Sequence, residues 1–322
     1  MASDILSLVA DVGGTNTRVA LARGPHLLAD SVTKYPNVEF DSLASVLETY
    51  VSAKTVDCAA AAVAIAGPVR NGRGTLTNLD WSIDSETLAR IAKADLSPVL
   101  NDLQAQGYAT GRVAPENLHP VIKRSAQSDG TRLVIGIGTG FNAAVVYDTP
   151  LGRIVPPSEA GHGDAPRLSD EDMHFGHALE QAHGFASIED ILSGRGLENV
   201  YAWQSGSGTH KTAAEIMQSV ESDPVAKATT EYFVRMMGTV AGNLALVHLP
   251  FGGIWLIGGV ARAMIPFLTP GFETAFRAKG RFSGFMDAFS VDVVQDDFAA
   301  LSGLAAHLDE LFAAKRKLTV IG

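Results

Sequence analysis

An apolar strand, a glycine-rich turn and a second apolar strand follow one another twice in this 322-residue chain, and that layout limits its possible folds more than any other feature. The first copy is Ile5–Asp11, the turn Val12-Gly13-Gly14-Thr15-Asn16-Thr17, and Arg18–Ala22. Two β-rich runs around glycines predict a hairpin. The second copy is Leu133–Gly136, the turn Ile137–Gly140, and Ala143–Tyr147. No sequence repeat links the copies; only the arrangement recurs. Around them, strands are expected at Cys58–Ile65, Pro98–Leu100, Ile254–Ile257 and Val291–Val294. Helical spacing or capping signals predict helices at Asp41–Ser52 (with Asp41 as N-cap), Asp84–Lys93, and from Asn101-Asp102 through Tyr108. Thr212 with Glu215 forms a capping box, and Asp223-Pro224 opens a long helix that stops before Pro250. A final helix is expected over Ser302–Arg316, with Lys315, Arg316 and Lys317 at the end where the macrodipole favours cations. Alternating strands and helices in both halves argue an α/β protein of two lobes, with a cleft between them as the default ligand site. The polar, proline-containing stretch Arg112–Arg132 is the natural junction.

Composition removes several classes. Hydrophobic residues make up 46% and charged residues 19%, which excludes a disordered chain. The net charge of −10 argues against general binding to nucleic acid or to anionic membranes. A local phosphate site stays open, because backbone N–H groups bind anions without Lys or Arg. Cys58 is the single cysteine, so there is neither an internal disulfide nor a multi-cysteine zinc framework; it reads as a small buried hydrophobe. Met236–Ala261 carries no Asp, Glu, Lys or Arg, yet its Asn243, His248, Pro250, Gly252 and Gly253 make it a helix end, a turn and a buried strand. With no basic region before the first apolar run, the expectation is a cytoplasmic protein.

The chemistry gathers at the glycine turns. In Asp11-Val-Gly-Gly-Thr-Asn16 the absent side chains let an anion approach backbone N–H groups, and Thr15 and Asn16 add donors. Asp11 would repel a phosphate there unless a cation lay between, which points to Mg²⁺ held in part through water; an ordinary glycine hairpin is the alternative. Gly138-Thr139-Gly140 offers a second loop of the same kind, and Gly258-Gly259 follows a buried strand, where backbone could pass close to a flat adenine ring. Neither a Walker loop nor a Rossmann fingerprint is present: Gly206–Thr212 has His210 before Lys211 and reads as a surface loop, and Gly136–Phe141 leads into a strand. Asp102, at a strand end and helix start, reads either as a helix cap or as a carboxylate placed to take a proton from an attacking hydroxyl. Glu159-Ala-Gly-His162 joins a carboxylate and an imidazole near a turn, donors and acceptors that suit sugar hydroxyls. His174, His177 and His183 read as structural, since no third metal ligand accompanies the His174-x-x-His177 spacing.

Taken together, Asp11–Arg18, Ile65–Val69, Leu76–Trp81, Asn101-Asp102, Gly136–Gly140, Glu159–Asp164, Ser193–Leu197 and Ile257–Val260 resemble the bacterial glucokinases of the hexokinase/actin-like ATPase superfamily. The resemblance implies two RNase H-like lobes around a central cleft. The smaller would hold residues 1–110 completed by the C-terminal helix 302–322, and the larger residues 111–301. It implies ATP-dependent phosphorylation of D-glucose at the 6-hydroxyl, the first step of glycolysis, with MgATP as co-substrate and commonly a homodimer. It makes Asp102 the catalytic base, and Asn101, Glu159, His162, Glu189 and Gly67 sugar contacts alongside it. Asp11, Gly13, Gly14, Thr15, Asn16, Gly138, Thr139, Gly140, Gly258 and Gly259 would form the nucleotide site, with Asp11 toward Mg²⁺.

Three positions depart from the family's usual pattern: Ala160 where a glycine is usual, Phe141-Asn142 where Leu-Gly is common, and Arg195 where proline is usual. The first bears on sugar fit and the second on nucleotide affinity. A kinase of the same fold for mannose, fructose or an amino sugar stays open. A sugar-sensing regulator is disfavoured, because the first core strand begins at Ile5 and leaves no room for a DNA-binding extension.

Overall fold

The computed structural model describes residues 4–76, 79–206 and 210–321, with side chains through Lys315. Thr77 and Asn78 of the Leu76–Trp81 stretch, Ser207–Thr209 of the Gly206–Thr212 loop, and the Arg316 and Lys317 side chains lie outside that description. The chain divides into two compact units, one of residues 1–113, 148–157 and 296–322, the other of 114–147 and 158–295.

The first unit contains β1 (Leu6–Val12), β2 (Asn16–Arg23), β3 (His26–Leu27), β4 (Thr33–Pro36), α1 (Leu43–Lys54) and β5 (Ala60–Ile65). After these come β6 (Val69–Arg70), β7 (Arg73–Thr75), β8 (Ser82–Asp84), α2 (Ser85–Ala92), β9 (Val99–Asn101) and α3 (Asp102–Ala109). The main sheet runs β3-β2-β1-β5-β9, with β1 antiparallel to β2 and parallel to β5, and β5 parallel to β9. Every residue of β5 is buried, as expected of a parallel strand covered on both faces. Leu8, Val63 and Ile65 pack with Leu43, Leu47 and Leu88 on one face. The opposite face is made of small residues: Ala20, Ala22, Ala60, Ala62 and Ala64 meet Leu301, Leu304 and Leu308. Those leucines belong to the last helix of the chain, which also lies against α3 so closely that a Cβ on Gly303 would collide with the Ala105 carbonyl.

Beyond α3 the chain forms β10 (Leu118–Ile122), β11 (Arg132–Ile137), β12 (Phe141–Thr149), β13 (Gly152–Ile154), α4 (Asp170–His183), α5 (Gly194–Ser205), α6 (Ala213–Gln218), α7 (Pro224–His248), β14 (Ile254–Ile257), α8 (Gly259–Ala263), α9 (Gly271–Arg277) and β15 (Val291–Val294); β13 and the end of β12, within 148–157, group with the first unit and the rest make up the second. The final helix, α10 (Ala299–Ile321), returns to the first unit. The second sheet runs β10-β15-β14-β11-β12-β13. With β4 and β10 set aside, the two sheets follow the same order, β3-β2-β1-β5-β9 and β13-β12-β11-β14-β15, each with its second strand antiparallel to its first, an RNase H-like arrangement.

Two local expectations are corrected. Helix α1 is capped by Ser42 and not by Asp41: the Ser42 hydroxyl accepts the Ser45 N–H at 3.2 Å and the Ser45 hydroxyl accepts the Ser42 N–H at 3.3 Å. Helix α10 begins at Ala299 and not Ser302, because Ala299, Ala300 and Leu301 extend its buried stripe. Met236–Ala261 forms the end of α7, a turn, β14 and the start of α8, and among the described residues no helix is long and apolar enough to cross a membrane.

Candidate active site

In the first unit the site residues stand at one end of the parallel strands. Register pairs Val12 with Ile65 and Ile65 with Asn101, so β1, β5 and β9 finish together. Gly67 lies two residues beyond β5 and its N–H donates to the Ile65 carbonyl at 2.9 Å. Asn101, buried at 6% exposure, is the N-cap of α3: its Oδ1 accepts the Gln104 N–H at 2.8 Å, and Gln104 Oε1 accepts the Asn101 N–H at 3.2 Å. The capping duty therefore falls to Asn101. Asp102, at the first helical position and half-buried, accepts the Leu103 N–H at 2.8 Å.

The Gly13-Gly14 turn has one N–H engaged, Gly13 to the Asn16 carbonyl at 3.0 Å. The N–H groups of Gly14 and Thr15 find no acceptor among the described residues. Sequence reasoning missed what holds this turn. Buried Asn37 donates from Nδ2 to the Gly13 carbonyl at 2.8 Å, accepts the Thr17 hydroxyl at 2.8 Å, and donates its own N–H to the Thr15 carbonyl at 2.9 Å. Nothing in the run Tyr35-Pro36-Asn37 signals such a brace. Asp11 sits opposite Arg18 across the hairpin, and their charged groups lie 3.6 Å apart. Burial pushes the Asp11 carboxyl above the usual range, and the Arg18 guanidinium partly offsets this.

The second unit brings three segments together. The Gly138 N–H donates to the Gly140 carbonyl at 2.9 Å, and the first N–H of α5, from Gly194, reaches the Gly138 carbonyl at 2.8 Å. As in the first hairpin, two successive N–H groups, Thr139 and Gly140, have no acceptor among the described residues. β11 and β14 run parallel with Gly136 paired to Ile257. Gly258 (φ +102°) presses on the Ile137 carbonyl, where any Cβ would collide. Gly138 and Gly259, by contrast, have no atom within 4 Å of where a Cβ would lie. Protein packing does not account for those two glycines.

Glu189 is pinned. Its Oε2 accepts the Phe141 N–H at 2.9 Å, and its Oε1 lies 3.1 Å from Arg195 Nη2, so the unexpected Arg195 supplies a counter-charge. The Glu189 N–H donates to the Gly161 carbonyl at 2.9 Å, tying this carboxylate to the turn Ala160–His162. Asn142, another departure, staples that turn: its Oδ1 accepts the Ala160 N–H at 3.0 Å and its Nδ2 donates to the Ser158 carbonyl. On the turn, the side chains of Glu159 and His162 are exposed and make no hydrogen bond with the described residues. His177 Nδ1 lies 3.2 Å from Glu180, and no group of three metal-ligating side chains occurs among the described residues.

Residues 8–311 match the family profile described as Glucokinase. This chain belongs to the glucokinase family. A glucokinase of Chelativorans sp. is 33% identical over 314 residues, covering 94% of this chain and 91% of the relative. One from Neisseria meningitidis is 32% identical over 310 residues, covering 94% of each. Among solved structures, a glucokinase from an Antarctic psychrotroph superposes with a TM-score of 0.83 at 29% identity, covering 94% of this chain and 98% of that one. Membership of the glucokinase family makes this chain a sugar kinase of the actin-like ATPase fold.

Proposed function

We propose that the chain transfers the γ-phosphoryl group of ATP to the 6-hydroxyl of D-glucose, giving glucose 6-phosphate and ADP. Family membership across residues 8–311 is the observation that carries this reading. Asp102 is the base. The glucose O6 attacks the γ-phosphorus, the bond from that phosphorus to the ADP oxygen breaks with its electron pair leaving on ADP, and the O6 proton passes to the Asp102 carboxylate. Asn101, Gly67, Glu159, His162 and Glu189 hold sugar hydroxyls. The unpartnered side chains of Glu159 and His162 support that role, and Glu189 keeps lone pairs beyond the two already engaged. The N–H pairs of Gly14 with Thr15 and of Thr139 with Gly140 take phosphate oxygens, with Gly13 and Asn16 shaping the first loop. Gly258 and Gly259 lie along the adenosine. Asp11 would hold Mg²⁺, whose charge would offset that of the phosphates. Most of the acceleration comes from alignment and charge neutralisation. The reading extends to a cytoplasmic homodimer with no nucleic-acid or membrane partner, which the net charge of −10 supports.

Asp102→Ala should keep glucose affinity within about tenfold and lower kcat by ~10²–10⁴, the range for loss of a general base. Near-wild-type turnover would remove Asp102 from the role. A coupled ADP-release assay over glucose, mannose, fructose and glucosamine tests the sugar: greatest kcat/KM on a hexose other than glucose would overturn the glucose assignment.

A further inference from the structure

Helix α3 is eight residues long, too short to hold its own axis in water, so the direction in which it presents Asp102 depends on what grips its ends. Both ends are gripped by the segment 148–157. At the first turn, Gln104, already the capping-box partner of Asn101, donates from Nε2 to the Val155 carbonyl at 2.8 Å. At the far end, Arg153 Nη1 donates to the carbonyls of Gly107, Tyr108 and Thr110 at 3.3, 3.0 and 2.7 Å, the first of which also accepts the Thr110 N–H and hydroxyl. Terminal helix carbonyls need such donors, and a cation there also meets the negative end of the dipole. The guanidinium is fixed in turn. Its Nε and Nη2 fork onto the two Asp148 oxygens at 2.7 and 3.1 Å, and its side chain is only 10% exposed. The Arg153 N–H donates to Glu310 on α10 at 3.1 Å, so the segment is fastened to a second helix as well.

We propose that 148–157 is a strap that sets the orientation of the catalytic helix, with Arg153 and Gln104 as positioning residues for Asp102. The strap is continuous in sequence with β12 on one side and with Glu159 on the other. It rests on the reading of Asp102 as base. Small errors in the placement of a reacting group cost rate far more than they cost binding. Lysine cannot replace the fork, since an ammonium is a point charge without the planar bidentate face.

The test is a double-mutant cycle. R153M should lower kcat about tenfold with the glucose KM within about twofold, R153K should lie between R153M and wild type, and the α3 amides should exchange faster with deuterium in both. D102A and D102A/R153M should have the same residual turnover, because a strap that acts through Asp102 has nothing left to position. Wild-type kcat in R153M, alongside the loss in D102A, would overturn the strap and leave the base assignment standing. Equal slowing by R153M with and without Asp102 would also overturn it, by showing that Arg153 acts elsewhere. Full turnover in D102A would instead remove the base itself. Should R153M fail to fold, R153K carries the test: reduced kcat supports the strap, and unchanged kcat with faster α3 exchange overturns it.

Discussion

Glycines in this chain are there for two different reasons, and single substitutions separate them. Gly258 is demanded by the protein, through its φ of +102° and the Ile137 carbonyl beneath it. Gly138 is demanded by nothing in the protein, with an ordinary φ and no atom near where a Cβ would be. Gly138→Ala should therefore leave the thermal midpoint within about 2 °C and raise the KM for ATP about tenfold, because the methyl group stands where a phosphate oxygen would pass; a tenfold change is about 1.4 kcal/mol. Gly258→Ala should lower stability by about 1–3 kcal/mol, the cost of a forced backbone conformation. Steady-state kinetics and thermal melts on the two variants check the contrast. Both loops were legible in the sequence, because glycine pairs between β-rich runs are a local signal. Asn37 and Arg153 were not. The carbonyls they hold are more than 20 residues away, and no local pattern marks an asparagine or an arginine that will be buried against distant carbonyls.

Elements with strong local punctuation were read correctly: α7 from Asp223-Pro224, α2 from its Asp84 cap, β14 from its unbroken apolar run, and β15 from its three valines. The small sheet β6-β7-β8 was not, since strands of two or three residues have too few positions to show an alternation. Contact between α3 and α10 makes a prediction at this scale. His307 of α10 stacks on Tyr108 of α3 with ring centroids 4.1 Å apart, and burial lowers its pKa from 6.5 to about 4. The folded form binds fewer protons than the unfolded chain between those values, so this residue's stabilisation is complete above pH 6.5 and is lost as the pH falls toward 4. His307→Phe keeps a ring against Tyr108 and removes the titration. Between pH 7 and pH 4.5 its thermal midpoint should fall less than that of wild type by at least about 2–4 °C, the shift produced by about 1 kcal/mol in a unit of this size. Parallel loss in both proteins would show that the acid sensitivity originates elsewhere.

Across the whole molecule, the two sheets share one strand order although their sequences share little, so the recurrence noticed in the glycine turns extends to the topology. The first unit is closed by the last helix of the chain. Leu301, Leu304 and Leu308 of α10 are at most 1% exposed against the alanine face of the sheet. Three such side chains bury roughly 1.5–3 kcal/mol each, so a chain ending at Phe298 should lose a large part of a typical stability of 5–15 kcal/mol. It should melt early in the first unit while the second keeps its protected amides in hydrogen exchange; retention of first-unit protection would contradict this. The same connectivity sets an order of events during synthesis. About 200 residues separate β9 from α10, and at roughly 5–20 residues per second the ribosome needs on the order of 10–40 s to deliver them. For that interval the alanine face of the emerging N-terminal sheet lacks Leu301, Leu304 and Leu308, so the half of the enzyme that is translated earliest cannot complete its core until α10 is made.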